Sequence, residues 1–328
     1  MMKIKLRRRQ FLHLAVGAAA LPAVSRVARA QAYPTRPVRL ILGTAAGSSA
    51  DIAARLIGQW LSQRTGQQFI IENRPGAASN IATETVVKAP ADGYTLLFSG
   101  FSNAINVTLY EKLNFDFIRD TTSVASVASV TNIMAVHPSV PAQTVAEFIA
   151  YAKANPGKIN HGTGGIGAAG HVFGELFKMM TGLNLVHIPY RGGGPMLVDL
   201  LAGQVQVSFD GLPASLEYVT AGKLRALAVT TAARSEVVPD IPTLGEFVPG
   251  YEASQWYGVS APKNTPSQVV DKLNNEINAG LRDPGLKARF AELGCTVLPG
   301  SPTDFGKLIA DETAKWAKVV KFAGLKAD

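Results

Sequence analysis

Short runs of β-branched residues alternate with amphipathic stretches of helical period along this 328-residue chain, and that alternation leaves few folds open. Val38-Arg39-Leu40-Ile41-Leu42 reads as a strand. Residues 51–64 then read as a helix, because Ile52, Leu56, Ile57 and Trp60 fall on one face. Further strands are expected over 68–72, 94–99, 132–136, 159–161, 184–188, 205–209, 224–230 and 255–260. Helices are expected over 80–88, 145–154, 169–181, 195–202, 213–221, 266–281, 284–293 and 302–321, with Pro239, Pro242 and Pro249 marking a long connection. Strand following helix in this way argues for an α/β fold with a parallel sheet covered on both faces. No tandem repeat interrupts the pattern. Cys295 is the one cysteine, so neither an internal disulfide nor a multi-cysteine metal site is available. It follows Gly294 beside an apolar strand and reads as a buried small residue.

The first thirty residues break the pattern. Arg8-Arg9-Gln10-Phe11-Leu12 opens an apolar stretch that runs to about Val24 and ends at Ala28-Arg29-Ala30. A basic start, an apolar middle and small residues at a cut site are the order of a secretory signal. The paired arginines point to export of a folded protein. The apolar run is shorter than the ~20 residues of a membrane span. Residues 1–30 are therefore expected to be a twin-arginine-type signal peptide and Gln31 the start of a 298-residue periplasmic protein. Removing the seven basic residues of that segment from the chain's 32 leaves 25 against 24 acidic residues, so a basic surface for nucleic acid is not indicated.

Three strand-to-helix turns are rich in small residues: 43–51, 162–170 and 191–195. Small residues admit close approach of a ligand to the backbone. A helix start adds unpaired N–H groups and partial positive charge, which suit an anion. Open α/β sheets bind ligands at the strand carboxyl ends, where these turns lie. Ser48 or Ser49 is placed to cap the first helix. Asp51 either caps that helix or touches the ligand, Asp210 has the same two readings, and Arg191 either pairs a carboxylate or points to solvent. Gly162, Gly164 and Gly167 satisfy the dinucleotide fingerprint in form only. The acid expected at the end of the next strand is replaced by Val186-His187-Ile188-Pro189. There is no Gly-x-Ser-x-Gly elbow and no phosphate loop. His137, His161, His171 and His187 stand singly, as packing or loop histidines do, with His171 nearest a glycine loop.

Several blocks resemble one family. They include Asn73-Arg74-Pro75-Gly76-Ala77, Ala91-Asp92-Gly93-Tyr94, Ile188-Pro189-Tyr190-Arg191-Gly192, Phe209-Asp210, Asp240-Ile241-Pro242-Thr243 and Trp256-Tyr257-Gly258. In fixed order over the whole mature chain, they are similar to the Bug family, the periplasmic solute receptors of tripartite tricarboxylate transporters. The resemblance implies a two-lobed periplasmic-binding-protein fold of type II, with residues 31–129 plus 252–328 in one lobe and 130–251 in the other. It implies a small carboxylate held between the lobes by loop amides, small hydroxyls and water. Carried over by position, the ligand-binding set is Ala46, Gly47, Ser48, Ser49, Asp51, Ser99, Gly100, Ser102 and Asn103 from the first lobe. The second lobe gives Thr163, Gly165, Ile166, Gly167, Ala168, Ala169, Tyr190, Arg191, Gly192, Gly193, Phe209 and Asp210. Many relatives have Gly-Gly-Gly-Thr-Asp where this chain has Gly47-Ser48-Ser49-Ala50-Asp51. Many have Asn-Gly-Thr-Ser where it has Ile166-Gly167-Ala168-Ala169, so the second loop loses side-chain donors and that wall becomes more apolar.

The expected protein is thus a monomeric receptor, not an enzyme, with no cofactor and no metal. Its expected partners are a carboxylate and the membrane permease subunits of the transporter, with no nucleic acid. An exported cofactor-dependent oxidoreductase and a sensor for a membrane kinase are the alternatives. Replacing both Arg8 and Arg9 with Lys is expected to trap uncleaved precursor in the cytoplasm on fractionation. A normal periplasmic yield of that variant would leave only the general secretory route.

Overall fold

The computed structural model describes residues 33–327, and the expected signal segment 1–30 lies outside them. A compact unit begins at Arg36. Its elements run β1 (Val38–Leu42), α1 (Ser49–Thr65), β2 (Phe69–Asn73), α2 (Asn80–Val87), β3 (Thr95–Gly100), α3 (Phe101–Leu109), α4 (Phe117–Asp120) and β4 (Thr121–Val130). The chain continues through β5 (Asn132–Val136), α5 (Val145–Ala154), β6 (Asn160–Thr163), α6 (Ala169–Thr181), β7 (Val186–Pro189), α7 (Gly193–Leu201), β8 (Val207–Gly211), α8 (Leu212–Thr220) and β9 (Arg225–Val229). It closes with β10 (Gln255–Pro262), α9 (Ser267–Arg282), α10 (Pro284–Glu292), β11 (Cys295–Val297) and α11 (Pro302–Ala323).

The strands form two sheets, ordered β11-β4-β10-β3-β1-β2 and β7-β6-β8-β5-β9. Local chemistry sets the elements. In α1, the Ser48 hydroxyl accepts from Asp51 N–H, Ala53, Ala54, Ile57 and Leu61 are buried at helical spacing, and Gly66 ends the helix at φ 72°. The parallel expectation holds for β1 with β2 and β3, and for β6 with β7 and β8. It does not hold where the chain passes between sheets: β10 runs antiparallel to β3 and β4, and β5 antiparallel to β8 and β9. Strand β4 and β5 are separated by Thr131 alone, too short for a crossover helix. The return passage is pinned beside it, where Gln255 pairs with Val130 in the ladder and its Nε2 donates to Asn132 Oδ1 at 3.1 Å.

The two sheets are not packed around independent cores. Phe305 and Ile309, early in α11, lie in a core with Ile41, Leu97 and Trp256 of the first sheet. Trp316, Val319 and Val320, further along the same helix, lie in the core of the second sheet with Phe173 and Phe209. Phe101 of α3 joins them there: its ring is 5.2 Å from Phe173 and 5.1 Å from Trp316, edge-on to both. One continuous helix therefore ties the sheets together through an aromatic cluster, an arrangement favoured by ring quadrupoles as well as by apolar burial.

Three of the scattered histidines meet beneath the 163–169 loop. His171 stacks on His187 with centroids 3.6 Å apart and planes 7° from parallel, and His161 sits edge-on to Phe209. Gly167 N–H donates to His171 Nδ1 at 3.2 Å, and Thr163 Oγ1 and His187 Nε2 share a 2.7 Å hydrogen bond. Burial is the main cause that pushes His171 down to about 3 and His187 to about 4, and it holds His161 well below its ordinary value. The charged groups facing the stack are Glu175, 3.7 Å from His171 Nε2, and Lys178, which pairs with Glu175. The folded protein keeps these rings neutral, whereas the unfolded chain takes up protons as pH falls below about 6.5. Stability is therefore present above that pH and is lost as pH falls toward the depressed folded values. Urea unfolding should lose at least about 2 kcal/mol between pH ~7 and ~5.5, above the window in which most carboxylates protonate. The His187→Gln variant should show a shallower slope, and a flat wild-type profile would contradict this reading.

Candidate functional site

Two adjoining cavities, of about 310 and 220 Å³, lie where the carboxyl ends of strands from both sheets meet. Their combined size falls in the range of small-molecule sites. A groove of about 440 Å³ between α1 and β2 is larger, but it is lined by residues 55–71 alone. The first cavity takes its walls from Leu42–Thr44 and Ser48–Ala50, from Phe98–Asn103, and from Ser79, Val130, Tyr257, Gly211, Pro213 and Ala214. The second is lined by Gly162–Gly164, Ala168–Gly170, Gly193, Met196 and Phe209. Asp210 and Gln255 line both.

Five helices begin on these walls: α1 at Ser49 and Ala50, α3 at Phe101, α6 at Ala169 and Gly170, α7 at Gly193, and α8 at Pro213 and Ala214. The first-turn N–H groups of a helix have no intrahelical acceptor, and each helix start carries about half a positive charge. Neither α6 nor α7 has a side-chain cap. Glycine permits the approach of α6: a Cβ on Gly170 would lie 2.8 Å from Phe209 O. No Lys, Arg or His lines either cavity. The cleft thus offers an anion fixed dipoles and N–H donors in place of a mobile cation.

Most side chains at the rim are occupied in holding the loops. Asp51 is buried and accepts from Gly47 N–H at 2.9 Å, Arg55 Nε at 3.0 Å and Asn73 Nδ2 at 2.9 Å. Burial raises its carboxyl, but these bonds outweigh burial and hold it below the ordinary value. Ser48 Oγ lies 2.9 Å from Thr44 Oγ1, and Ser99 Oγ lies 2.9 Å from Ser260 Oγ. Asn103 accepts from Gly100 N–H and donates to Thr83. Ser49 and Ser102, by contrast, line the first cavity with no such side-chain bond among the described residues.

Of the residues expected at the site, Ser48, Ser49, Ser99, Gly100, Ser102, Asn103, Thr163, Ala168, Ala169, Gly193, Phe209 and Asp210 line the cavities. Ala46, Gly47, Asp51, Gly165, Ile166, Gly167, Tyr190, Arg191 and Gly192 stand behind or beside the walls. Gly167 adopts φ +74°, and a Cβ on it would lie 2.6 Å from Leu109 Cδ2, so its smallness serves packing against α3. Tyr190 donates its hydroxyl to Asp199 at 2.6 Å. Arg191 is exposed and lines neither cavity. Sequence reasoning placed Thr44 only within the 43–51 turn and missed Ser79, Met196, Gln255 and Tyr257. Gln255 and Tyr257 reach the site only through the antiparallel pairing of β10, which no local pattern announces. The block around Trp256 was the available signal.

The fold and this geometry have counterparts among known proteins. The family model described as the tripartite tricarboxylate transporter family receptor matches residues 53–325. Protein BugT of Bordetella pertussis is 36% identical over 300 residues, spanning 90% of this chain and 92% of its own. Rpa4515 of R. palustris, solved with adipate, is 40% identical with a TM-score of 0.80, and the match covers 90% of this chain and 99% of that one. MatC (Rpa3494) of Rhodopseudomonas palustris, solved with bound malate, is 29% identical with a TM-score of 0.75, covering 88% and 100%. With two α/β lobes, a cleft at their strand ends and similarity over nearly its whole described length, this chain belongs to the tripartite tricarboxylate transporter receptor family that includes the Bug proteins.

Proposed function

We propose that this protein captures a small organic carboxylate between its lobes in the periplasm and delivers it unchanged to the membrane permease subunits of a tripartite tricarboxylate-type transporter, acting as a monomer. The observation that carries the reading is the convergence of five helix starts on a cleft lined by no basic side chain. The adipate and malate bound by relatives support the ligand class. The lobes are 31–129 with 252–328, and 130–251, and they close about the paired crossings at Thr131 and Gln255. Ligand contacts come from the N–H groups at Ser49, Ala50, Ser102, Ala169 and Gly170 and from the Ser49 and Ser102 hydroxyls. Thr163, Ala168 and Phe209 shape the second cavity. Gly47, Asp51, Gly167 and Tyr190 hold the loops in place.

A melting-temperature screen with succinate, adipate, malate and benzoate, against neutral adipamide, tests the reading. An acid at a hundred times its Kd should stabilise the protein by about 2.7 kcal/mol, with adipamide inert. The Arg191→Ala variant should lose under about 1 kcal/mol of binding, whereas breaking a buried ion pair costs about 3–5 kcal/mol. Equal stabilisation by adipamide, or loss of all binding in the Arg191 variant, would overturn recognition by backbone donors.

A further inference from the structure

The cleft that suits an anion also contains a carboxyl. Asp210, near the end of β8, is the common wall of the two cavities and the one charged side chain lining either. Among the described residues it makes no ion pair, unlike Asp51, whose carboxylate is answered by Arg55. The elements around it bring no cation. On β5, Asn132 and Ile133 stand opposite Gly211 and Asp210, and on β10 the neutral Gln255 is engaged with Asn132. Helix α7 begins at Gly193, where a Cβ would lie 3.5 Å from Asp210 Oδ2, and its acid Asp199 is turned to Tyr190. The first titratable group of α6, His171, is turned to His187 and Gly167. On β6, His161 is fully buried against Phe209. Helix α8 opens with Leu212, Pro213 and Ala214, and its first charged residue, Glu217, is an exposed acid. Arg191 is exposed and outside the lining.

A bound carboxylate would therefore face an unpaired Asp210 across a small cavity, and two like charges in such a site do not both stay ionised. Resting on the carboxylate reading, we propose that binding is coupled to proton uptake: Asp210 takes one proton from solvent and donates its O–H to an oxygen of the ligand carboxylate. The charge balance closes, because the ligand enters as an anion, the proton enters from water, and the cleft gains no uncompensated charge at Asp210. Burial already pushes this carboxyl above its ordinary value, opposed only by the Gly211 N–H, and an adjacent anion pushes it further. Asp210 then acts as a specificity element, accepting acids whose oxygen can receive its proton. A ligand ammonium at this place would instead keep Asp210 ionised.

Calorimetric titration with adipate, malate, succinate and benzoate, in phosphate and in Tris, counts the protons. The expected result is uptake of about one proton per bound acid, with affinity falling by up to roughly tenfold per pH unit as pH rises above the free Asp210 value. The Asp210→Asn variant, which keeps a donor at this place, should bind with buffer-independent heat and a flat pH profile. Binding by the unaltered protein with no buffer dependence, or proton uptake that persists in the Asn variant, overturns the coupling and leaves the carboxylate reading intact. Failure of all four acids to bind overturns the carboxylate reading, and the coupling with it.

Discussion

A helix cannot satisfy its own first N–H groups, and burying them without an acceptor costs as much as leaving any polar group unpaired. In this protein five helices start around one cleft and bring partial positive charge to it, although α8 offers few donors there, since Leu212 N–H is bonded to Thr131 O and Pro213 has none. Much else in the structure follows from keeping those ends open and fixed. The turns are made of small residues, which leave the backbone accessible. Of the polar side chains near the cleft, Ser48 and Asn103 cap the starts of α1 and α3 locally, whereas Asp51 and Ser99 are turned to partners in neighbouring loops or strands. Donors fixed before the ligand arrives spare binding much of the ordering cost that a long flexible Lys would incur.

The fixity comes from the packing underneath. Gly170 lets α6 rest on the carbonyl of Phe209, and Gly167 is wedged against Leu109 at the end of α3. The neutral His171–His187 stack holds Gly167 N–H and Thr163 from below. Phe101, Phe173 and Trp316 then join α3, α6 and α11. Pulling the lobes straight apart would expose these rings at about 1.5–3 kcal/mol for each large side chain. The proposed closure therefore has to be a rotation that keeps the rings packed, with bending at the two crossings at Thr131 and Gln255.

How far this was legible in the sequence depended on the range of the signal. Strands β1, β5 and β9 and helices α5 and α6 could be read from periodicity and caps, because the determinants lie within each segment. Strand β4 could not: Val124, Val127 and Val130 recur every three residues, and only the register shifts opposite β10 reconcile that spacing with a buried strand. Helix α3 escaped notice because its buried face includes Asn103 and Asn106, which look like loop residues until Thr83 and Asn80 are seen to pair with them. The small-residue turns were found from their chemistry, so the helix starts were found with them. The closing wall, Gln255, Tyr257 and Ala214, depends on which strands pair across more than a hundred residues, and no local pattern encodes it. Gly167 and Arg191 stand outside the lining, Gly167 packed against Leu109 and Arg191 exposed, the second of the two places its sequence left open.

In the proposed mode of recognition, backbone donors at helix starts hold the anion. Amide NMR during titration with adipate, or with another acid that raises the melting temperature, measures this directly. The amide protons of Ser49, Ala50, Ser102, Ala169 and Gly170 should move downfield as they bond a charged acceptor, while the Arg191 side-chain signals stay in place. Unmoved amides at these helix starts, with the shift concentrated on Arg191, would contradict the account.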